Sequence, residues 1–219
     1  MTEVKHHISD DFLIGYAAGS LPAAFDLVVA THVSLSDDAR ARLHAFDAVG
    51  GCILDEMDEA PLAQDSLSKT LSLINENAAS EAASSQNQTR PEDGIFPAPL
   101  RDMIGCDLAD VKWRPIGMGC KQAIISEGKD ATARLLFIPA GQAMPRHTHR
   151  GTEMTLVLQG AYRDETDRFG RGDIEIGDET MNHTPVAEAG EDCICLIATD
   201  ARLKFEGLLP RIAQTFLRI

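Results

Sequence analysis

Hydrophobic positions along the chain follow two periods, and the change falls near residue 77. Upstream the spacing is helical. Phe12, Leu13, Tyr16 and Ala17 form one stripe, with Ser9 placed to cap it, Asp10 and Asp11 at the positive end of its dipole, and Gly19 to end it. Pro22 opens a second helix, where its missing N–H costs nothing. Phe25, Val28, Val29 and His32 follow at helical spacing, which puts His32 on the buried face. Ser36 is placed to cap a third helix, with Asp37 and Asp38 in its first turn, Ala39, Leu43 and Phe46 turned inward, and Gly50 and Gly51 weakening its end. After the acidic stretch LDEMDEAPLAQD, Leu67, Leu71 and Ile74 predict a fourth. Four such helices make a small bundle, or part of one that a partner completes.

The stretch NAASEAASSQNQTRPEDG is small, polar and patternless, the composition of a flexible tether. Beyond it the period falls to about two. KQAIIS, TARLLFIPAG, MTLVLQG, GDIEIGD and CICLIAT are separated by turn-forming EGKD and AEAGED, a pattern that predicts an antiparallel sandwich or barrel. The expected organisation is α+β: a helical domain at 1–77, a linker at 78–94 and a β domain at 95–219.

Charge sharpens this division. The 219 residues carry a net charge of -14, which argues against direct nucleic-acid binding because nothing neutralises phosphates. Residues 1–80 hold 13 Asp and Glu against 4 Lys and Arg, a net of -9, so an acidic helical module faces either solvent or a basic partner. No apolar run is long enough to span a membrane, and MTEVKHHISDD lacks the basic-then-apolar order of an export signal, so a cytoplasmic protein is expected. The five cysteines are odd in number and scattered, as in a reducing compartment. Cys193 and Cys195 share one face of a strand with poor disulfide geometry, and Cys52, Cys106 and Cys120 have no metal-spaced neighbour, so all five read as small core residues. Trp113 is expected to pack against the barrel near the domain junction.

The candidate chemistry lies in GQAMPRHTHRGTEMTLVLQG. Residues i and i+2 of a strand face one side, so His147 and His149 present two imidazoles to one point. After the turn at RGT, Glu153 can add a carboxylate, and His183 is the remaining histidine of the β half. Three nitrogens and a carboxylate suit zinc, manganese, iron, cobalt or nickel. A closed tetrahedron favours zinc, whereas added water ligands would open redox chemistry to iron or manganese.

The run Gly141-x5-His147-x-His149-x3-Glu153-x6-Gly160 resembles the first cupin motif, and Gly172-Asp173, Gly177 and His183 resemble the second without its usual Pro-x-Gly. The resemblance covers roughly residues 110–200 and implies a double-stranded β-helix jelly roll whose His147, His149, Glu153 and His183 hold one divalent metal.

The segments YAAGSL, ATHVSL and DAVGG, joined through a linker to a cupin, resemble the ChrR family of anti-sigma factors over nearly the whole chain. That resemblance implies a regulator, not an enzyme, in which residues 1–80 sequester an extracytoplasmic-function sigma factor and the cupin senses singlet oxygen or a related oxidant. It leaves a homodimer open. The family also holds zinc in its helical domain through His…His-x3-Cys-x2-Cys. His7 and His32 align with the two histidines, but Ser36 and Ala39 stand at the cysteine positions. Neither can replace a thiolate, so apolar packing without zinc is expected there. The alternative function is a metal-dependent cupin enzyme, a dioxygenase or isomerase with an accessory helical domain, although no general acid or base can be assigned beside the metal.

Overall fold

The computed structural model describes residues 4–84 and 94–201, with the backbone of a short strand at 204–205. Five α-helices occur among them, α1 (Asp10–Ala17), α2 (Ala23–Leu35), α3 (Asp37–Asp55), α4 (Ser66–Ser84) and α5 (Ala98–Ile104), with a single 3-10 turn at Leu108–Asp110. The first four begin close to where periodicity and capping residues place them. Ser36 caps α3 as expected, its Oγ accepting the amide of Ala39 at 3.2 Å. Ser9 stands at the N-cap of α1 but makes no side-chain cap bond.

Two boundaries differ from expectation. Gly50 and Gly51 do not stop α3, which runs on to Asp55; each glycine costs only about 1 kcal/mol relative to alanine, and a long helix absorbs that. The stretch read as tether begins inside α4, which reaches Ser84. The rest of it, 85–93, lies outside the described residues. The seven-residue α5 was not anticipated. Pro97 at its N-cap and Gly105 in the left-handed region, at φ 73°, delimit it, and Leu100 is buried.

Twelve strands follow: β1 (Arg114–Gly117), β2 (Cys120–Glu127), β3 (Thr132–Ile138), β4 (His147–Thr148), β5 (Glu153–Gln159), β6 (Ala161–Arg163), β7 (Arg168–Gly170), β8 (Ile174–Gly177), β9 (Asn182–His183), β10 (Val186–Ala187), β11 (Cys193–Thr199) and β12 (Lys204–Phe205). They pair antiparallel in a six-stranded sheet, β1-β2-β3-β11-β5-β8, and two three-stranded sheets, β10-β6-β7 and β12-β4-β9. This is the expected α+β architecture with a cupin domain.

Of the described residues, those up to Gly50 and from Ile95 form one compact unit, and those from Gly51 to Gly94 a second. Compactness thus draws its line through α3, whereas the change of period falls at 77. The reason is α2, which packs on β3, β5 and β11. Phe25, Val28 and Val29 share one core with Leu135, Leu156 and Leu196 from the outer face of the six-stranded sheet. Burying each such side chain contributes about 1.5–3 kcal/mol. Alternate residues of the same strands, Val157, Cys193 and Cys195, point into a second core inside the barrel. Coverage on both faces explains why CICLIAT is apolar throughout.

The chain entering α1 is tied to the same unit. The amides of Lys5 and His6 donate to Asp173 Oδ1 at 2.6 and 3.0 Å, and the Ile174 amide donates to the His6 carbonyl at 3.1 Å. Gly172, at φ +90°, has no room for a side chain, because a Cβ there would sit 2.7 Å from Val4 Cγ2.

Candidate metal centre

Antiparallel pairing of β4 with β9 sets His147 directly opposite His183. His149 follows β4, and Glu153 opens β5, where it pairs with Gly177 of β8. All four side chains are buried. His183 Nε2 lies 3.2 Å from His147 Nε2 and 3.3 Å from His149 Nε2. The three histidines form a group whose ligand atoms lie within 4.8 Å of one another.

The outer nitrogens decide which tautomer faces inward. His147 Nδ1 donates to the Pro145 carbonyl at 2.8 Å, and His183 Nδ1 to Asp164 Oδ2 at 2.8 Å. With Nδ1 carrying the proton, each Nε2 directs a lone pair into the same small space. Two lone pairs at 3.2 Å repel unless a cation or a proton lies between them. Burial, the larger effect, pushes His147 and His149 down to about 4. Burial also opposes charge on His183, but hydrogen bonds to Glu175 and Asp164 hold it up at about 9. Without a cation the cluster therefore carries one proton, on His183, and a divalent ion would replace it. The donor set fits a borderline metal such as zinc.

Glu153 stands apart. Its Oε1 is 3.8 Å from His149 Nδ1 and accepts a 3.4 Å bond from Thr155 Oγ1, and it is not in the three-histidine group. Burial raises it to about 7, against the pull of Arg134. The structure thus brings three of the four expected ligands together and leaves the carboxylate beside them. Asp164, Glu175 and Tyr162 were not anticipated. Glu175 Oε1 lies 3.6 Å from His183 Nδ1 and its Oε2 accepts from Tyr162 Oη at 2.7 Å. Asp164 sits in a turn 19 residues before His183, a separation that carries no metal signature. An apolar-walled cavity of about 60 Å³ adjoins the centre, bounded by Leu136, Met144 and Cys195.

A family model described as the ChrR cupin-like domain matches residues 101–202. The chain is 53% identical over 216 residues to the anti-sigma-E factor ChrR of Cereibacter sphaeroides, which spans 99% of each chain. The chain belongs to the ChrR family of anti-sigma factors. The crystal structure of Rhodobacter sphaeroides SigE in complex with the anti-sigma ChrR matches with a TM-score of 0.77 at 53% identity, over 90% of this chain and 99% of that one. ChrR kinship makes the chain a regulator and not an enzyme, as expected.

At the place where the ChrR resemblance implies a helical-domain zinc, other bonds stand. Ser36 Oγ lies 3.3 Å from His7 Nδ1. His32, fully buried, donates from Nδ1 to the Gly172 carbonyl at 3.0 Å and accepts the Ile8 amide on Nε2 at 3.4 Å. Both ring nitrogens are thus taken by backbone. Burial pushes this histidine down to about 4, against the Gly172 bond.

The remaining sequence expectations divide. Cys193 and Cys195 are free and buried with sulfurs 3.6 Å apart, and Cys120 is buried. Cys106 is half-buried and Cys52 is exposed on α3, so neither is a core residue as expected. Trp113 packs edge-on to Phe137 at 5.8 Å, against the outer face of β3. No helix among the described residues is long and apolar enough to cross a membrane.

Proposed function

We propose that this chain sequesters an extracytoplasmic-function sigma factor through surfaces within residues 1–80, chiefly α3 and α4. A divalent metal, zinc by its donor set, is held by His147, His149, His183 and Glu153 and governs release under singlet oxygen or a related oxidant. The observation that carries the partner reading is two exposed apolar rows, each on its own helix. Val49 and Ile53 on α3, and Leu67, Leu71 and Ile74 on α4, are each more than half exposed. Their i, i+4 and i, i+7 spacing is that of helix faces that normally meet a core. An amphipathic face of this kind left in solvent marks an interaction surface. The relative's complex with SigE supplies the class of partner, and the net charge of -9 over residues 1–80 suits the basic surface with which a sigma factor grips DNA. The helical half works without zinc in this reading, because Ser36 and Ala39 offer no thiolates and His32 is committed to backbone.

The test uses the full chain. Leu71→Asp with Ile74→Asp should lower affinity for a sigma factor of this class by at least a hundredfold, since two apolar contacts of about 1.5 kcal/mol or more each are lost. Bound metal should stay at one per chain. Unchanged sigma binding in a folded double variant would refute the reading.

A further inference from the structure

Between β6 and β7 the four residues Asp164 to Asp167 make a turn that touches both the metal centre and the N-terminal segment. Asp164 Oδ1 accepts three bonds inside the turn: from the Thr166 amide at 2.8 Å, from Thr166 Oγ1 at 2.6 Å and from the Asp167 amide at 3.2 Å. Its Oδ2 lies 2.8 Å from His183 Nδ1, and its side chain is wholly buried. Glu165 Oε2 ties the same turn to the Thr184 amide at 2.9 Å, next to His183. At the far end, Asp167 Oδ2 is 3.1 Å from His6 Nε2. The His6 ring lies on Phe169 of β7 with centroids 4.4 Å apart. Its backbone is the part bound by Asp173 and Ile174. The next residue, His7, meets Ser36 at the start of α3.

We propose that this loop couples the metal centre to the helical half: Asp164 is a positioning residue that presents His183 Nε2 to the metal, and Asp167 passes the state of that histidine to His6. The inference rests on the metal reading above. Its physical basis is that a carboxylate on the outer nitrogen fixes the tautomer and orientation of a metal-bound histidine and raises its basicity. Asp164 is itself fixed by three donors on its other oxygen, so it cannot follow a turning ring without carrying the loop. When the cation leaves, nothing draws the Nε2 atoms of His147, His149 and His183 to one point, and the His183 ring can turn toward one of its two histidine neighbours, 3.2 and 3.3 Å away, instead of facing both. The loop moves with it, and the His6 contact at its other end loosens. Residues 4–8 then dock less firmly, directly beside the N-terminus of α3.

The experiment compares full-length wild type with Asp164→Ala, Asp164→Asn and Asp167→Ala. Zinc affinity is measured by chelator competition, and hydrogen exchange of the Lys5, His6 and Ile8 amides is followed with and without zinc. Asp164→Ala should weaken zinc binding ten- to a hundredfold. Asp164→Asn keeps an acceptor without the charge, so it should lose less and shift the visible bands of the cobalt-loaded protein. Asp167→Ala should keep zinc affinity within twofold. In wild type, zinc should slow exchange at the three amides at least fivefold, and Asp167→Ala should abolish that difference. Equal zinc affinity in wild type and a folded Asp164→Asn, together with an unshifted cobalt spectrum, would overturn the positioning role. Zinc binding to wild type with no change in exchange at residues 4–8 would overturn the coupling. Failure of wild type to bind zinc or cobalt at all would bring down the metal reading and this inference together.

Discussion

At Gly177 the backbone of β8 passes so close to His149 that a methyl group has no place: an added Cβ would lie 2.9 Å from both Cδ2 and Nε2 of the ring. The backbone there is not left-handed, so alanine would cost no strain of its own, and the displacement would fall chiefly on His149, with Met181 Sδ next at 3.2 Å. Gly177→Ala should therefore weaken zinc binding about tenfold or more while shifting the melting temperature of the zinc-free protein little; wild-type affinity in chelator competition would contradict this. Which residues matter was partly legible at this scale. His147 and His149 announce themselves by strand alternation, and Gly177 and His183 by their motif. Asp164, Glu175 and Tyr162 did not, because their roles arise from hydrogen bonds between different elements, at separations of 19 and 13 residues that carry no local pattern. Ser36 was legible as a cap, a local property, while the partners of His32 were not: the carbonyl it holds is 140 residues away.

The same His32 bond makes the seating of α2 on the turn before β8 sensitive to acid. The sign follows from the folded value lying below the unfolded one, about 4 against 6.5. The neutral ring's contribution is fully present above pH 6.5 and is lost as pH falls from there toward 4, because the unfolded chain takes up the proton first. Between pH 7.5 and pH 5 the loss should be about 2 kcal/mol for this one group. His147 and His149 are lowered by burial as well, so the test is a difference. Urea unfolding of wild type and His32→Gln at both pH values should show the variant less stable at pH 7.5, with about 2 kcal/mol of that gap closing at pH 5. A gap independent of pH would mean that His32 is not held neutral by burial. For the elements themselves, period and capping located α1 to α4 and the long strands. They missed α5, β1 and the two- and three-residue strands other than β4, which are too short to show a period.

On the scale of the whole molecule, the change from helical to strand period suggested two domains joined by a tether, yet α1 and α2 share a core with the barrel, and α2 and the segment before α1 hydrogen-bond to it. Periodicity says that a face is apolar and not what covers it. Val28 and Leu71 look alike in sequence; one is buried under the sheet and the other is more than half exposed. On the proposed reading, the metal centre would reach the start of α3 through the N-terminal segment, without the residues between α4 and α5. A tenfold change in sigma affinity requires only about 1.4 kcal/mol of differential binding. Structural zinc sites supply on the order of 10 kcal/mol to the folds that hold them, so a small fraction of that suffices. In the proposed reading the surfaces that bind and the side chains that hold metal are separate, and this separates their phenotypes. Alanine at His149 or Glu153 should leave the exposed rows of α3 and α4 in place but uncouple them from the oxidant, so that reporter output is the same with and without singlet oxygen. Leu71→Asp with Ile74→Asp should instead leave the sigma factor free under all conditions. A reporter driven by the cognate sigma factor, read with and without a photosensitiser in light, measures both. Full induction by light in the His149 and Glu153 variants would show that the metal centre does not carry the signal.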